Sequence, residues 1–300
     1  MSSLKEIKDR IASVRSTLKI TSAMKLVASS KLRRAQRAIE ALRPYEDALA
    51  GILAQASGSG CAGASGSFGA LAAAAQGPEK QGKGKTVILA FAGNSSMCGA
   101  FNSNAIKLAL RTAAQAGGDM EFWSFGRKMT EALRKAGKAP SRVYDRLIAN
   151  PSSSETAAIS DELRAMYEAG EVGRIVLVYN SFISVGKQLA VARAFLPFGE
   201  SPGQATTRHA RSNRASQEGA FIFEPSRQGV LEALMPQVLQ LRLYAALLDS
   251  IAAEHAARMV AMQAATDNGE ELLSEITLEY NKGRQQKITA EILDLVAGEV

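Results

Sequence analysis

The stretch LKEIKDRIASVRSTLKIT, residues 4–21, decides the fold of this chain. Apolar or small residues recur in it at every third or fourth position, so they form one stripe along a helix. The stripe continues until a glycine-rich segment ends the pattern, which predicts a single helix over residues 3–56. Strict heptad spacing slips near Met24, because the next heptad position is Lys25.

A second stripe with the same spacing occupies the other end of the chain. It starts after Ser226, a candidate N-cap, and predicts a helix that runs towards Val296. A helix of about 70 residues is a rod of roughly 100 Å, which is far longer than a globular domain needs. Residues 1–56 carry a net charge of +6 and residues 226–300 carry −5. Two long stripes of opposite charge predict an antiparallel coiled coil with a domain inserted between its helices.

The sequence between the two helices alternates between strand and helix patterns. The predicted strands are 86–91, 120–125, 174–182 and 188–197, and the predicted helices are 102–118 and 159–173. Alternation of this kind predicts a Rossmann-like α/β domain with a largely parallel sheet. The predicted fold class is therefore α/β, with a long antiparallel coiled coil formed by the N- and C-terminal helices.

These patterns divide the chain into five segments. They are an N-terminal coiled-coil helix at 1–56, a Gly/Ala-rich loop at 57–85, an α/β globular domain at 86–203, a mobile loop and foot segment at 204–225, and a C-terminal coiled-coil helix at 226–300. The chain has no run of 18 apolar residues and does not begin with the apolar centre of a signal peptide. We therefore expect a cytoplasmic protein, and its two cysteines suit a reducing compartment.

Short motifs that mark cofactor-binding, metal or catalytic sites in other proteins lack the required context in this sequence. GSGCAG at 58–63 fits G-x-G-x-x-G, but it follows a helix instead of a strand. GKGKT at 82–86 precedes a strand, whereas a phosphate-binding loop must follow one. Neither His209 nor His255 belongs to an H-x-x-x-H pair, and Cys98 has no base nearby in the sequence, so a packed thiol is favoured. We expect no catalytic residue, cofactor or metal.

Two other classes of protein share some of these features. An α/β nucleotide-binding enzyme with a helical oligomerisation arm would bind a small ligand on its own. A basic coiled coil that binds nucleic acid would fit the net charge of +7, although the basic stretch 18–36 has no interleaved aromatic residues. That stretch is either a solvated face or a positive collar for an acidic partner.

Five segments, in this order, resemble one known family. They are RIASVRSTLKITSAMKLVASSKLRRAQ (10–36), VYNSFIS (178–184), FEPSRQGVLEALMP (223–236), YAALLDSIAAEHAARMVAMQAATDN (244–268) and YNKGRQQKITAEILDLVAG (280–298). Together they resemble the gamma-subunit family of F-type ATP synthases, over both long helices and much of the inserted domain.

The resemblance implies a central rotor shaft without catalytic activity of its own. Such a shaft couples proton-driven rotation of a membrane c ring to the conformational cycle of the catalytic beta subunits. Its implied partners are three alpha and three beta subunits, the epsilon subunit and the c ring, with no nucleic acid and no small-molecule substrate. The implied location is peripheral, on the cytoplasmic face of the bacterial inner membrane.

The resemblance also implies roles for particular residues. Those matched to contacts with the catalytic subunits are Met24, Lys25, Arg258, Arg284, Gln285, Thr289 and Glu291. Those matched to the foot beside epsilon and the c ring are Tyr45, Phe223 and Glu224. The chain departs from the family pattern at Asn94, Ser95, Ser96 and Met97, where relatives usually have an acid-Arg-Gly-Leu sequence. Contacts of that loop are therefore not carried over.

Overall fold

Two long helices flank an α/β domain in the computed structural model, which describes residues 4–56, 84–197, 223–224 and 226–297. The elements in chain order are α1 (Leu4–Ala56), β1 (Lys85–Phe91), α2 (Phe101–Ala116), β2 (Met120–Phe125), α3 (Arg127–Lys135), β3 (Arg142–Val143), α4 (Asp145–Ala149), α5 (Ser153–Glu168), β4 (Val172–Ser184), β5 (Lys187–Leu196) and α6 (Arg227–Ala297). The GSGCAG motif, His209 and nearly all of the two predicted loops lie outside the described residues.

The two long helices lie antiparallel against each other. Thr21, early in α1, lies 3.0 Å from Thr266, Oγ1 to Oγ1, whereas Tyr45, late in α1, donates from its hydroxyl to Gln237 Oε1 (3.2 Å) near the start of α6. The predicted coiled coil of the terminal helices is therefore confirmed. With 71 residues, α6 is roughly 105 Å long by helical rise. No helix among the described residues has a stretch apolar and long enough to cross a membrane.

Glycines of α6 let leucines of α1 approach the axis of the coil. A Cβ at Gly269 would lie 2.7 Å from Leu18 Cδ2, and a Cβ at Gly283 would lie 3.2 Å from Leu4 Cδ2. The two glycines are 14 residues apart, as are the two leucines, and this separation is two heptads. The leucines fill the spaces that the glycines leave, and so fix the register of this end of the coil, called the upper shaft below.

The change of spacing near Met24 brings a cation to the edge of the coil. Lys25 is half-buried and donates from Nζ to Gln263 Oε1 (2.5 Å) on the other helix. An amide on the other helix therefore supplies the half-buried ammonium group with a hydrogen-bond acceptor.

A five-stranded sheet forms the centre of the inserted domain. Its strand order is β3-β2-β1-β4-β5, in which the first four strands are parallel and β5 is antiparallel to β4. The predicted, largely parallel α/β domain is confirmed. The strands predicted at 86–91, 120–125, 174–182 and 188–197 agree with β1, β2, β4 and β5 to within two residues at each end.

Helices cover both faces of this sheet. On one face, Ile88 of β1 packs with Ala105 of α2. On the other face, Phe91 belongs to the same buried cluster as Leu243 and Leu247 of α6, both of which are fully buried. The lower half of α6 is therefore at once one helix of the coiled coil and a covering layer of the α/β domain.

The helix predicted over 159–173 is displaced in the structure. α5 begins at Ser153, because Ser152 caps it by accepting a hydrogen bond from Glu155 N (3.4 Å). Residues 172–173, at the other end of the predicted helix, already belong to β4. The prediction overlooked the Ser-x-x-Glu signal of a capping box, and it missed the short elements α3, β3 and α4 altogether.

A buried carboxyl group lies where β4 meets the coiled coil. Asp249 of α6 accepts a hydrogen bond from Ser181 Oγ (3.1 Å) on β4. Burial raises the pKa of Asp249 from 3.8 to about 6, against the lowering effects of that hydrogen bond and of Arg193 and Arg43. Burial also raises the pKa of Glu46 on α1, and the nearby Asp249 adds to this rise. Both carboxyl groups thus hold their protons more tightly in the folded chain.

Exchanging the side chains of one seam pair tests the register of the upper shaft. Gly269→Leu should destabilise the chain, because the new side chain competes with Leu18 for one space, and overpacking of this kind costs about 1–3 kcal/mol. Urea unfolding should show this loss. The double variant Leu18→Gly/Gly269→Leu, which moves the leucine to the opposite helix, should recover most of it. A double variant as unstable as Gly269→Leu alone would contradict the proposed packing.

The Asp249 carboxyl should make stability depend on pH. The unfolded carboxyl ionises near pH 3.8 and the folded one near pH 6, so the free energy of unfolding falls as pH rises between these values, by about 3 kcal/mol in all. Asp249→Asn keeps an acceptor for Ser181 and removes this loss. In urea unfolding from pH 4 to pH 8, the variant should match the parent near pH 4 and exceed it above pH 6. Asp9→Asn, at an exposed position of α1, should follow the parent throughout.

Candidate functional site

A groove lies where both long helices meet the α/β domain, and its volume is about 550 Å³. It is lined by Ser16, Lys19, Ile20, Ala23, Met24, Val27, Ala28 and Lys31 of α1, by His255 and Arg258 of α6, and by Ser95 of the loop between β1 and α2. This set of residues is called the shaft groove below.

The α1 wall of the shaft groove is an exposed apolar stripe. Ile20 and Val27 are one heptad apart and are 58% and 55% exposed, with Met24 between them. Lys19 and Lys31 stand towards the two ends of the stripe. Apolar side chains at this spacing, left open on one face, are typical of a surface that receives a second helix. The flanking lysines favour a helix with acidic residues.

His255 and Arg258 form the α6 wall, and Arg258 belongs to a buried ion pair. Arg258 donates to Glu254 Oε1 at 2.7 Å and to Ser95 Oγ at 2.6 Å. Only 11% of the Arg258 side chain and 6% of the Glu254 side chain are exposed. Because Ser95 belongs to the α/β domain and Glu254 to the shaft, one guanidinium group joins the two parts of the molecule.

The backbone around Ser95 is held from two sides. A Cβ at Gly93 would lie 2.8 Å from Glu254 Cδ, so only glycine lets that carboxylate come so close to the end of β1. Asn94 donates from Nδ2 to Asp145 O (2.8 Å) and accepts a hydrogen bond from Arg127 N (2.9 Å). The loop is therefore anchored to the α/β domain immediately before Ser95.

Two titratable side chains beside the ion pair are neutral at pH 7. Burial and the neighbouring Arg258 lower the pKa of His255 to about 4. Burial, followed by the charge of Glu254, raises the pKa of the Cys98 thiol, which packs against Phe101. The interpretation of Cys98 as a packed thiol is confirmed. Within the part of the chain that the structure describes, no group of three or more His, Cys, Asp or Glu side chains could hold a metal ion.

The structure brings together two of the residues matched to catalytic-subunit contacts. Met24 and Arg258 line the shaft groove from opposite helices. Lys25, the third residue matched to this height of the shaft, bonds to Gln263 across the coil and does not line the groove.

A second groove, called the tip groove, lies near the C-terminal end of α6. Its volume is about 500 Å³, and it is lined by Lys282, Gln285, Gln286, Thr289, Ala290 and Leu293. Gly283 faces Leu4, the first described residue of α1, and α6 continues for 14 residues beyond this contact. By helical rise this extension is about 21 Å long. The tip groove therefore lies beside the contact of Gly283 with Leu4, and it extends along α6 beyond the described part of α1.

The tip residues matched to catalytic-subunit contacts lie on two sides of α6. Gln285 and Thr289 line the tip groove, one turn apart, and Thr289 Oγ1 donates to Gln285 O (3.0 Å). Arg284 and Glu291 lie on the opposite side, because each residue of a helix turns by about 100°. All four are exposed. The exposed pair of Lys287 and Glu291 (3.6 Å) contributes little to stability.

Apolar side chains interrupt this polar band. Ile288, Ile292 and Leu293 are 47%, 55% and 62% exposed. Exposed apolar residues this close together in the sequence are typical of a surface that contacts another molecule. The end of α6 therefore combines hydrogen-bonding groups with apolar contact area.

The residues matched to the foot lie at the opposite end of the coil. Tyr45 of α1 is 48% exposed. Phe223 is half-buried and Glu224 is exposed, just before α6 begins. Ser226 Oγ accepts a hydrogen bond from Gly229 N (3.1 Å), which confirms the predicted N-cap.

Sequence reasoning missed Ser95 and Glu254 as partners of Arg258. The spacing of Glu254 and Arg258, four residues apart on a helix, is a recognised ion-pair signal and could have revealed that contact. Nothing in the local sequence identifies Ser95, which lies 163 residues from Arg258 along the chain.

Comparisons with known proteins agree over the whole chain. A family model described as ATP synthase matches residues 3–299. A protein of Bacteroides thetaiotaomicron named ATP synthase gamma chain is 39% identical over 309 residues, with 99% of each chain covered. A protein of Bacteroides fragilis with the same name is 41% identical over 305 residues, again with 99% of each chain covered.

Solved structures share the fold. A chain of the Euglena gracilis mitochondrial ATP synthase superimposes with a TM-score of 0.65 at 16% identity, and the match covers 98% of this chain and 92% of that one. A chain from the central stalk and c ring of the Tetrahymena thermophila mitochondrial ATP synthase superimposes with a TM-score of 0.55 at 19% identity, covering 82% and 99%. At these identities the likeness concerns the fold alone.

Proposed function

The chain belongs to the family of ATP synthase gamma chains, and from that premise we propose how its two grooves act. It is the central rotor shaft of F-type ATP synthase, a non-catalytic subunit that works with the alpha, beta and epsilon subunits and the c ring. We propose that the shaft groove receives an acidic helix of a catalytic beta subunit, and that the residues at the tip contact the surrounding ring.

One observation carries this proposal: the shaft groove combines an exposed apolar stripe with flanking cations. Ile20, Met24 and Val27 supply apolar contact area for a second helix. Lys19 and Lys31 select an acidic partner. An exposed ion pair contributes at most about 1 kcal/mol, so this contact can be broken again at each step of rotation.

The shaft groove lies on one side of the coil, so the shaft is asymmetric about its axis of rotation. At a given angle of the shaft, the groove can face only one of three surrounding beta subunits. A rotor can shift the population of conformations of a catalytic subunit only if it binds those conformations differently. A one-sided groove meets this requirement, because the beta subunit that it faces changes as the shaft turns.

At the tip, we propose contacts from both sides of α6. Arg284, Gln285, Thr289 and Glu291 all face outward, where loops of a surrounding ring can reach them. A hydrogen bond between neutral groups contributes about 1 kcal/mol, and one to a charged group up to about 3 kcal/mol. The tip therefore offers several separate contacts of moderate strength.

We also propose the remaining parts of the assignment. Tyr45, Phe223 and Glu224 are proposed to contact epsilon and the c ring at the foot, and the shaft is proposed to stand on the cytoplasmic face of the bacterial inner membrane. The division of the chain at residues 56, 85, 203 and 225 stays a prediction.

Introducing an acidic residue into the shaft groove tests the docking of an acidic helix. Val27→Asp places a carboxylate in the apolar stripe, and we expect ATP synthesis by the complex reconstituted in lipid vesicles to fall by about ten-fold, the change that 1.4 kcal/mol produces. Leu26→Asp is a matched control, because Leu26 is 69% exposed on a neighbouring face of α1 and does not line the groove. Equal losses in the two variants, or no loss in either, would count against the shaft groove as the docking site.

Removing two polar side chains tests the contacts at the tip. The double variant Arg284→Ala/Gln285→Ala should assemble with alpha and beta, because both residues are exposed, yet coupled ATP synthesis should fall several-fold. Asn281→Ala, also exposed on the same stretch of α6, should leave the synthesis rate unchanged. An unchanged rate in the double variant would show that coupling does not depend on contacts of Arg284 and Gln285.

A further inference from the structure

Arg258 lines the shaft groove, yet its charged group is engaged within the chain. The guanidinium donates to Ser95 Oγ (2.6 Å) and to Glu254 Oε1 (2.7 Å), and it lies 3.4 Å from His255 Nδ1. Only 11% of the side chain is exposed. The Arg258 guanidinium therefore does not contact a helix that docks in the groove, whereas Lys19 and Lys31 are exposed and can contact it.

Release of this guanidinium would raise the affinity of the shaft groove for an acidic helix. Arg258 needs only to exchange its internal acceptors for a carboxylate of the docked helix, because its side chain already forms part of the wall. Arginine binds a carboxylate through two parallel hydrogen bonds, and such charge-assisted pairs are stronger than the contacts of an exposed lysine. A freed Arg258 would therefore hold an acidic helix more tightly and release it more slowly.

We propose that Ser95 and Glu254 are positioning residues that hold the Arg258 guanidinium out of the shaft groove, so that an acidic helix docked there is released quickly. This inference rests on the proposed function of the groove. It gives the α/β domain a part in that function, because Ser95 is the point at which the domain reaches Arg258.

The position of the Ser95 hydroxyl is set by the domain and not by the shaft. Asn94 fixes the preceding residue through its bonds to Asp145 O and Arg127 N. Met97, two residues later, has a φ of 63°, a left-handed conformation that a methionine keeps only where its surroundings hold it. The loop therefore presents Ser95 in one place, and the guanidinium has a fixed acceptor.

A purely structural clamp is the competing explanation of the same contacts. The α/β domain already packs on α6 through a large buried cluster that includes Phe91, Leu243 and Leu247. Loss of one hydroxyl group changes little in an interface of this kind. An effect of Ser95 on turnover that depends on the charge of Arg258 would therefore separate positioning from clamping.

The test is the rate of ATP hydrolysis by the chain reconstituted with alpha and beta subunits. Ser95→Ala should slow hydrolysis at low salt by about two- to five-fold, the scale expected when one hydrogen bond to a charged group is gained at a different place. High salt should reduce the effect, because ions screen the new contact. Ser95→Thr keeps the hydroxyl and should behave as the parent, and so should Ser96→Ala, a change on the same loop that removes no contact of Arg258.

The deciding measurement repeats Ser95→Ala in a background without the charges. The double variant Glu254→Gln/Arg258→Gln replaces both members of the ion pair by neutral amides, so no unpaired charge is left buried. Ser95→Ala should have no effect on the hydrolysis rate in this background. An equal effect in both backgrounds would assign Ser95 a merely structural role and overturn the inference.

The results also separate this inference from the proposed function of the groove. If Val27→Asp impairs the complex but Ser95→Ala leaves hydrolysis unchanged, the groove stands as a docking site and the positioning role is wrong. If neither variant has an effect, the docking site and the positioning role both fail.

Discussion

Leu4 and Leu18 can approach the axis of the shaft only because Gly283 and Gly269 have no side chains. A slip of one heptad would remove this fit and bring one of the two leucines against Ile276, which is already buried. The register that results determines which residues of α1 and α6 lie opposite each other along the upper shaft. It sets which residues of α1 face the Glu254–Arg258 pair, and it sets how far α6 extends beyond the described part of α1.

The two halves of α6 face different surroundings, and the Glu254–Arg258 pair marks their boundary. Below it, Leu243 and Leu247 are buried under the sheet, whereas above it Val260, Leu272 and Leu278 of α6 are exposed. A buried ion pair is weak evidence for stability, since apolar residues of the same volume often stabilise a protein more. The pair is better explained by what it positions than by the stability it adds.

The sequence predicts those features that depend on local periodicity. The two long helices follow from apolar stripes, and the strands follow from short apolar runs between them. Ser152 could also have been recognised as a cap, because the serine and Glu155 three residues later form a local signal. The meeting of Ser95 with Arg258 could not be predicted in this way. It needs the loop between β1 and α2 to be placed against a particular turn of α6, and no local pattern records that placement.

Residues that the resemblance places in one functional region differ in their contacts within the chain. Resemblance matches Met24, Lys25 and Arg258 to one functional region, but the structure shows that their polar groups are not equivalent. Lys25 is engaged with Gln263, and the guanidinium of Arg258 with Glu254. What remains open in the shaft groove is apolar surface with exposed lysines at its ends. For a shaft this is an advantage, because each additional 1.4 kcal/mol of binding slows release about ten-fold. A partner that must leave at every step is better held by apolar area and screened charge than by a desolvated arginine.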